Sequence, residues 1–358
     1  DKAIEYLPVS WDGSNYGRIT KGAALAMKAR AALYYGDWQV AADNAKKCMD
    51  LGVYELYDKD NTGKYAELFW EKADGCDEFI CVRQFESGVD DWYLIGWEAF
   101  PTLGWGGINP TQSLVDAFED IEGAPIAKST IYDPTNPFEN RDPRLEVNVL
   151  HDGEVMYGVT IKVAPLKSSG NTGIGQHGDA TATGYYQHKW LDPSIYPGTD
   201  GWSMGKDAVV IRYAEVLLTY AEAKNELTGL DASAFDAVNQ VRARVGMPAL
   251  QNNDPSKPTY CATQDDLRQR IRNEWRVEFA LEGGKRQWDV RRWGIAMDVL
   301  NKPRLGLKYE IIGDECILYQ GSQQAVGEAT AYKEHNYVYP VPQSEIDLNP
   351  NLTQNPGY

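Results

Sequence analysis

The sequence predicts a mainly α-helical protein in which helical hairpins support a large, irregular region with a few short strands. Apolar residues recur at helical spacing in three separated segments, each interrupted by a glycine-containing turn. Roughly residues 53–206 are instead rich in Gly, Pro, Asp, Asn and aromatic residues, and strand-like pieces such as residues 78–83 and 155–163 are short. Long ordered loops on a helical scaffold commonly carry binding sites, so this region is the predicted ligand face.

The first helical hairpin is predicted over residues 18–52. Leu25, Ala29 and Leu33 fall on one face of a helix, and Gly36 interrupts the pattern before it restarts. Alanines at facing positions would let the two helices approach closely. A pair of helices with this pattern is typical of a tetratricopeptide-like unit.

A second hairpin is predicted over residues 212–246. Tyr213, Leu217 and Tyr220 begin an apolar stripe on its first helix. Gly229 ends that helix, and Asp231 can cap the next one.

The third hairpin is predicted over residues 263–300. Thr263 and Asp266 resemble a capping box, with Asp in place of the usual Glu. Gly283 and Gly284 supply the turn. The second helix is expected to continue without a break through residues 295–299.

Residues 282–294, EGGKRQWDVRRWG, allow three interpretations: a catalytic cluster, a nucleic-acid contact or the hinge of the third hairpin. The net charge of −17 and the pI of about 4.7 argue against nucleic acid. Glu274 and Glu278 share a helix face, but nearby arginines would keep them charged, which does not suit a general acid. The hinge is favoured, with Arg–Glu pairs tying the helices together. The arginines near these glutamates in sequence are Arg276, Arg286, Arg291 and Arg292.

The sequence predicts neither a metal site nor a membrane span. Five cysteines are scattered, and four histidines show no metal-ligand spacing. Residues 133–142 offer oxygen ligands that could hold calcium, but they lack EF-hand spacing and are better explained as a turn with an Arg–Asp pair. No apolar stretch is long enough to cross a bilayer.

The two ends of the chain give separate indications. Residues 1–8 resemble the end of an amphipathic helix stopped by proline, so we expect the chain to begin within a longer protein. Residues 337–358 are rich in Pro and Asn and are expected to wrap the surface in extended form.

Six segments, taken together and in order, resemble the SusD/RagB family. They are RITKGAALAMKARAALYYGDW, GINPTQSLVDAF, RYAEVLLTYAEAKNELTG, VNQVRARVGMP, RNEWRVEFALEGGKRQWDVRRWG and the closing YPVPQSEIDLNPNLTQNPGY. Each segment by itself is modest support, but the six span nearly the whole chain.

The resemblance implies a glycan-binding lipoprotein on the outer surface of the outer membrane in Bacteroidetes. Such proteins deliver oligosaccharide to a TonB-dependent transporter of the SusC type, cap it like a lid, and perform no chemistry on the sugar. The resemblance implies no cofactor. Family members have a signal peptide, a lipidated cysteine and a further helical region before the point where this sequence starts. Residues 1–358 are therefore expected to be a single SusD-like domain lacking its N-terminal part, with the lipid anchor outside this chain.

Two other functions stay open at this point. A tetratricopeptide-like interaction scaffold would bind peptide on its helical face and leave the aromatic loops idle. A glycoside hydrolase would need two suitably spaced carboxylates, one with a raised pKa, and 52 acidic residues leave room for such a pair.

Carbohydrate recognition needs an aromatic platform and planar hydrogen-bonding side chains, which here must come from loops. Residues 90–109 and 190–202 meet this requirement. Trp105 and Trp190 border segments that look structural, and we expect them to pack against the helices. The predicted glycan-binding residues are Trp92, Trp97, Asn109, Tyr196, Asp200 and Trp202.

Overall fold

The computed structural model describes residues 1–101, 103–195 and 202–358. The α-helices of these residues are α1 (Lys2–Tyr6), α2 (Lys21–Tyr35), α3 (Trp38–Met49), α4 (Leu94–Glu98), α5 (Gln112–Val115), α6 (Arg144–Asn148), α7 (Tyr213–Thr228), α8 (Ala232–Ala243), α9 (Gln264–Glu278), α10 (Lys285–Arg292), α11 (Ala296–Leu300) and α12 (Gln343–Leu348). The strands are β1 (Phe79–Arg83), β2 (Val149–Leu150), β3 (Val155–Met156), β4 (Val159–Thr160), β5 (Tyr186–Gln187), β6 (Ala208–Arg212), β7 (Arg304–Ile312) and β8 (Glu315–Gly327). The predicted mainly α-helical fold with few short strands is confirmed.

Helices α2, α3, α7, α8 and α9 build the main hydrophobic core. α2 packs on α3, α3 packs on α7, and α7 packs on both α8 and α9. Ala29, Ala41 and Ala45 are buried at these contacts, as are Leu217 and Trp275. Because alanine adds little beyond the backbone, the helices lie close together there.

Local signals fix the ends of these helices as the sequence predicts. The carboxylate of Asp231 accepts a hydrogen bond from the amide of Ser233 and caps α8. Thr263 and Asp266 form the predicted capping box at the start of α9. Both predictions are confirmed.

The expected second helix of the third hairpin is wrong in one respect. It is divided into α10 and α11, because Gly294 lies between them with a φ of +69°, a left-handed conformation that does not continue an α-helix. Gly283 and Gly284 form the predicted turn after α9.

The strands of the described residues pair antiparallel in two-stranded sheets: β1 with β6, β2 with β5, β3 with β4, and β7 with β8. The strand-like pieces at residues 78–83 and 155–163 correspond to β1 and to β3 with β4. The long β7–β8 hairpin was not predicted. Its two-residue Gly313-Asp314 turn is a recognised hairpin signal, and Leu305, Leu307, Tyr309 and Ile311 alternate with polar residues or glycine before it, so the sequence does carry a hairpin pattern.

The prediction that residues 337–358 are extended is wrong for residues Gln343–Leu348, which form α12. Pro342 precedes this helix with a φ of −53°, which suits a helix start. Beyond α12, the side chain of Gln354 donates to the carbonyl of Val341 and accepts from its amide, so the end of the chain folds back.

The loop-rich region has a hydrophobic core of its own. Phe100, Phe118, Leu145 and Tyr186 are fully buried in it, and Val277 of α9 joins the same cluster. The loops are therefore packed against one end of the helical scaffold, and their conformation is set by burial.

A buried ionic network joins the helical core to the loop-rich region. Glu278 of α9 accepts hydrogen bonds from Arg144 at 3.0 Å and Arg212 at 2.6 Å, and it also pairs with Arg244. Glu78 pairs with Arg212 at 2.8 Å and Arg244 at 2.6 Å. Burial alone would raise the pKa of Glu278, but the three guanidinium groups hold it far below its usual range.

This network answers the question raised by residues 282–294. The segment forms a hinge, and Arg292 ties α10 to α7 through Glu222 at 2.6 Å. The partners inferred for Glu274 and Glu278 are wrong, because their arginines come from segments distant in sequence. Those arginines are Arg144, Arg212, Arg242 and Arg244.

Candidate functional site

A glycine-rich loop folds back onto the short helix α4. The amide of Trp105 donates to the carbonyl of Gly96 at 3.1 Å, and the amide of Gly107 donates to the carbonyl of Trp97 at 2.9 Å. A side chain at Gly104 would place its Cβ 2.6 Å from the carbonyl oxygens of Gly96 and Ala99. The loop can lie this close only because glycine occupies that position.

This arrangement brings three tryptophans together, which we name the tryptophan platform: Trp97, Trp105 and Trp202. The ring centroids of Trp97 and Trp105 are 4.4 Å apart, and that of Trp202 lies 5.4 Å from Trp105 and 6.5 Å from Trp97. All three pairs meet edge to face, a favourable geometry for aromatic rings.

The platform is open to solvent, and the backbone of α4 supports it. Trp97 is 47% exposed and Trp105 is 50% exposed. A Cβ at Gly96 would lie 2.4 Å from the ring of Trp202, so the ring rests directly on the backbone of α4. A fixed, exposed aromatic surface can stack on a flat apolar face of a ligand while its N–H groups hydrogen-bond at the edge.

Two of the predicted site residues, Trp97 and Trp202, lie together in the platform. Other predicted site residues do not join it. The side-chain amide of Asn109 donates to the carbonyl of Gly106, and its oxygen accepts from the amide of Ala182, so it braces the loop. Trp92 lies away from the platform and stacks on Phe85 at 5.4 Å. Tyr196 and Asp200 lie outside the described residues. Glycan contact by any of the six stays a prediction.

The packing prediction holds for Trp190 and fails for Trp105. Trp190 is buried, and its indole N–H donates to the carbonyl of Leu281, just after α9. Trp105 is half exposed and contacts the other platform rings. The glycines on both sides of Trp105 were the available signal, because they keep its backbone close to α4 and its ring outside.

A cavity of about 540 Å³ adjoins this loop, and we name it the Glu98 cavity. Its lining includes Trp92, Glu98, Ile108, Gln187, Trp190 and Arg286. Both Glu98 and Gln187 are buried, and neither was singled out from the sequence, since a single Glu or Gln in a loop or strand carries no pattern. Burial raises the pKa of Glu98 to about 7.

Replacing Glu98 by glutamine should make stability less dependent on pH. Because its folded pKa is raised, Glu98 contributes stability that is present below the ordinary carboxyl pKa and is lost as pH rises through about 7. Glu98→Gln removes this titration. Its unfolding free energy relative to wild type should therefore rise from pH 5 to pH 8 by on the order of 2 kcal/mol. Urea unfolding at the two pH values measures the difference, and an equal offset at both would contradict the raised pKa.

The segment considered for calcium is a hydrogen-bonded turn. The carboxylate of Asp133 accepts from the amide of Thr135 at 2.8 Å and from its hydroxyl at 2.7 Å, and these bonds lower the pKa of Asp133. Arg144 pairs with Asp142 at 2.7 Å, which is the predicted Arg–Asp pair. Among residues 1–101, 103–195 and 202–358, no helix has the length and apolar character that a bilayer crossing requires.

Helical hairpins, an ion-paired junction and a preformed aromatic surface together define a helical protein with an exposed cluster of tryptophans. The SusD family model matches residues 83–358. The chain belongs to the SusD family. The resemblance stated from the six sequence segments is thereby confirmed.

Solved structures show the same fold. A SusD-like protein from Bacteroides fragilis NCTC 9343 is 30% identical with a TM-score of 0.81, and the match covers 100% of this chain and 69% of that one. A SusD-like carbohydrate-binding protein from the same strain is 29% identical with a TM-score of 0.84, covering 98% and 68%.

Two curated relatives come from Formosa agariphila. SusD-like protein P2 is 31% identical over 177 residues, which is 49% of this chain and 29% of the relative. SusD-like protein P25 is 25% identical over 358 aligned residues, covering 96% of this chain and 60% of the relative. The chain thus spans less than two thirds of the length of each of these relatives.

Proposed function

We propose that the protein binds glycan without chemical turnover and that the tryptophan platform holds the sugar. The single observation that carries the proposal is the fixed cluster of Trp97, Trp105 and Trp202, in which Trp97 and Trp105 are exposed and Trp202 is partly exposed. Membership of the SusD family supports it, and a structurally similar member from Bacteroides fragilis is a carbohydrate-binding protein.

The platform suits a sugar ring for a physical reason. The C–H face of a pyranose is apolar and flat, and it loses little on leaving water when an indole face covers it. The three rings are already assembled, so little conformational freedom is lost on binding. Rings that meet edge to face present surfaces at different angles, which suits successive sugar units of a twisted chain.

A glycoside hydrolase is the alternative function, because the raised pKa of Glu98 would suit a general acid. A second carboxylate, Glu282, lines the same cavity. Its Oε1 accepts from Lys189 at 2.6 Å and its Oε2 from Arg212 at 2.9 Å. Since both oxygens are already engaged, Glu282 is poorly placed to attack a sugar or activate water, which supports binding without catalysis.

The proposal extends to location and partner. As a SusD family member, the protein would work at the outer-membrane surface, held by a lipid anchor outside this chain, and pass glycan to a SusC-type transporter. An interaction scaffold is the second candidate, and one observation favours a protein contact on the helices. Met27, Tyr34 and Tyr35 leave an apolar face of α2 exposed.

Affinity electrophoresis against plant, host and microbial polysaccharides, with product analysis of the same mixtures, tests the proposal. Wild type should be retarded by at least one polysaccharide and should release no products. Trp97→Ala, Trp105→Ala and Trp202→Ala should each weaken that retention by about tenfold or more, because each removes part of a central aromatic contact.

Trp11→Ala is a matched control, since Trp11 is also exposed but lies outside the platform. Its retention should equal that of wild type. Unchanged retention in all three platform variants would reject the platform as the binding surface. Accumulation of cleavage products would instead identify the protein as a glycoside hydrolase.

A further inference from the structure

The Glu98 cavity lies beside the platform because one segment of chain forms a wall of both. Glu98 follows Trp97 in α4, and Ile108 follows Gly107, whose amide is bonded to the carbonyl of Trp97. The volume of about 540 Å³ falls within the range of small-molecule sites in proteins. The cavity is therefore large enough for a ligand and close to the surface that would deliver one.

Two buried side chains that line this cavity carry polar atoms without hydrogen-bond partners. Gln187 is 1% exposed, and neither its side-chain nitrogen nor its oxygen has a hydrogen-bond partner in the described part of the chain. Oε2 of Glu98 likewise has no hydrogen-bond partner in the described part of the chain. Burying such groups unpaired is costly, and native proteins rarely leave them so. Three such atoms on two side chains that line one cavity could be satisfied by a ligand with hydrogen-bonding groups.

The backbone of Gln187 is held in place by its neighbours. Its backbone pairs with Val149 in the β2–β5 sheet, and its neighbour Tyr186 is fully buried in the core of the loop-rich region. The strand thus fixes the backbone position from which the buried Gln187 side chain lines the cavity.

The chemistry of the lining indicates what the occupant is. Gln187 offers a donor and an acceptor at one point, and Glu98 adds a carboxyl group. Hydroxyl groups donate and accept at once, so neighbouring hydroxyls satisfy both side chains. An apolar ligand would leave the polar atoms unpaired, and a simple anion would meet the Glu98 carboxyl. Trp92 and Trp190 supply flat apolar walls.

The charged groups of the lining leave room for a neutral ligand. Lys285 is paired with Glu215 at 2.6 Å, and Glu282 is paired with Arg212 and Lys189. These two charges are already matched inside the protein. Arg286 also lines the cavity and lies over the ring of Trp293 at 5.6 Å, so the lining offers a guanidinium as well as the Glu98 carboxyl. A lining with groups of both signs favours a neutral polyol, whose hydroxyls can accept from one and donate to the other.

We propose that the Glu98 cavity is a second saccharide site, which receives a single neutral sugar unit at the end of the glycan. In it, Gln187 and Glu98 bond neighbouring hydroxyls while the ring lies against Trp92. The inference rests on the proposed function, since the unit belongs to the glycan that the platform holds. It adds that the protein recognises chain ends as well as chain length.

Gln187→Leu tests the proposal, because a ligand-binding role and a structural role predict opposite changes in stability. Leucine keeps the bulk and removes the unpaired amide, so the melting temperature should stay the same or rise. Titration calorimetry with glucose, galactose, mannose, xylose, arabinose and rhamnose, carried into the millimolar range, should show binding of at least one sugar to wild type. Gln187→Leu should weaken that binding by about 10- to 100-fold, as expected for lost hydrogen bonds.

Gln112→Leu is the matched control. Gln112 is buried like Gln187, but its amide donates to Asp116 and its oxygen accepts from Tyr185. Its replacement should lower the melting temperature, which the Gln187 change should not do.

The proposal is overturned if none of the six sugars binds to wild type, or if Gln187→Leu binds them equally well. A drop in melting temperature as large as that of Gln112→Leu would also overturn it. These results are separable from the platform test, which uses polysaccharide retention. If the tryptophan variants lose polysaccharide retention while Gln187→Leu binds the single sugars normally, the cavity proposal is rejected and the platform is kept. Retention unaffected in the tryptophan variants would reject the platform, while the Gln187→Leu titration would still decide the cavity.

Discussion

Replacing Glu278 by alanine should cost about 3–5 kcal/mol of stability, because it breaks a buried ionic network by removing one partner. Arg144, Arg212 and Arg244 all pair with this carboxylate in the interior. Without it, three guanidinium groups keep their positive charge in a site from which water is excluded. A loss of this size approaches the whole folding free energy of the least stable domains, so we expect part of the protein to be recovered unfolded.

Urea unfolding at neutral pH measures this effect. Because the pKa of Glu278 is depressed, its contribution is complete at pH 7 and is lost only as pH falls through its folded pKa, in strong acid. The control is Glu55→Ala, which removes an exposed carboxylate paired with Lys59 at 2.6 Å and should cost less than about 1 kcal/mol. Similar losses for both variants would show that the network does not stabilise the fold as inferred.

Gly96→Ala should abolish most glycan retention while leaving the platform's own tryptophans in the sequence. The new Cβ would fall 2.4 Å from the ring of Trp202, so the ring must move off α4. The platform would then lose its preassembled shape, and we expect retention to drop by about tenfold or more, as for Trp202→Ala.

Polysaccharide retention and near-ultraviolet circular dichroism together test this expectation, since moving Trp202 alters the coupling between the three indoles. Gly13→Ala is the control, because a Cβ at Gly13 meets no atom within 4 Å and its φ is not in the left-handed region. Wild-type retention by Gly96→Ala with an altered dichroism spectrum would mean that the fixed ring geometry is unimportant for binding.

The sequence predicts the helical scaffold well because its determinants are local. The caps at Asp231 and Thr263 act within three residues of themselves, and the apolar stripe of α7 lies on consecutive turns. The break between α10 and α11 was missed because Gly294 interrupts a pattern that otherwise continues on both sides. A single glycine is tolerated in many helices, so the residue type alone does not settle the matter.

The site is less predictable because its determinants are not local. Trp97 and Trp202 meet only through the fold, and Trp105 was assigned to packing because solvent exposure cannot be read from residue type. Glu98 and Gln187 are informative only because they are buried without partners, which is a property of the structure. The partners of Glu278 could likewise not be predicted from the sequence, since one of them, Arg144, lies 134 residues away along the chain.

The same long separations set an order of events during synthesis. Glu78 and its partner Arg212 are also 134 residues apart, so the loop-rich region leaves the ribosome long before its counter-charges exist. Glu78 must stay hydrated until Arg212 and Arg244 have been made, and Arg144 cannot pair with Glu274 and Glu278 until α9 has been made, because charges are not buried unpaired. The loop-rich region, although translated before α7, α8 and α9, is therefore expected to close among the last parts of the molecule. During synthesis this region would therefore expose apolar surface for longer than the helical hairpins, which close through local contacts.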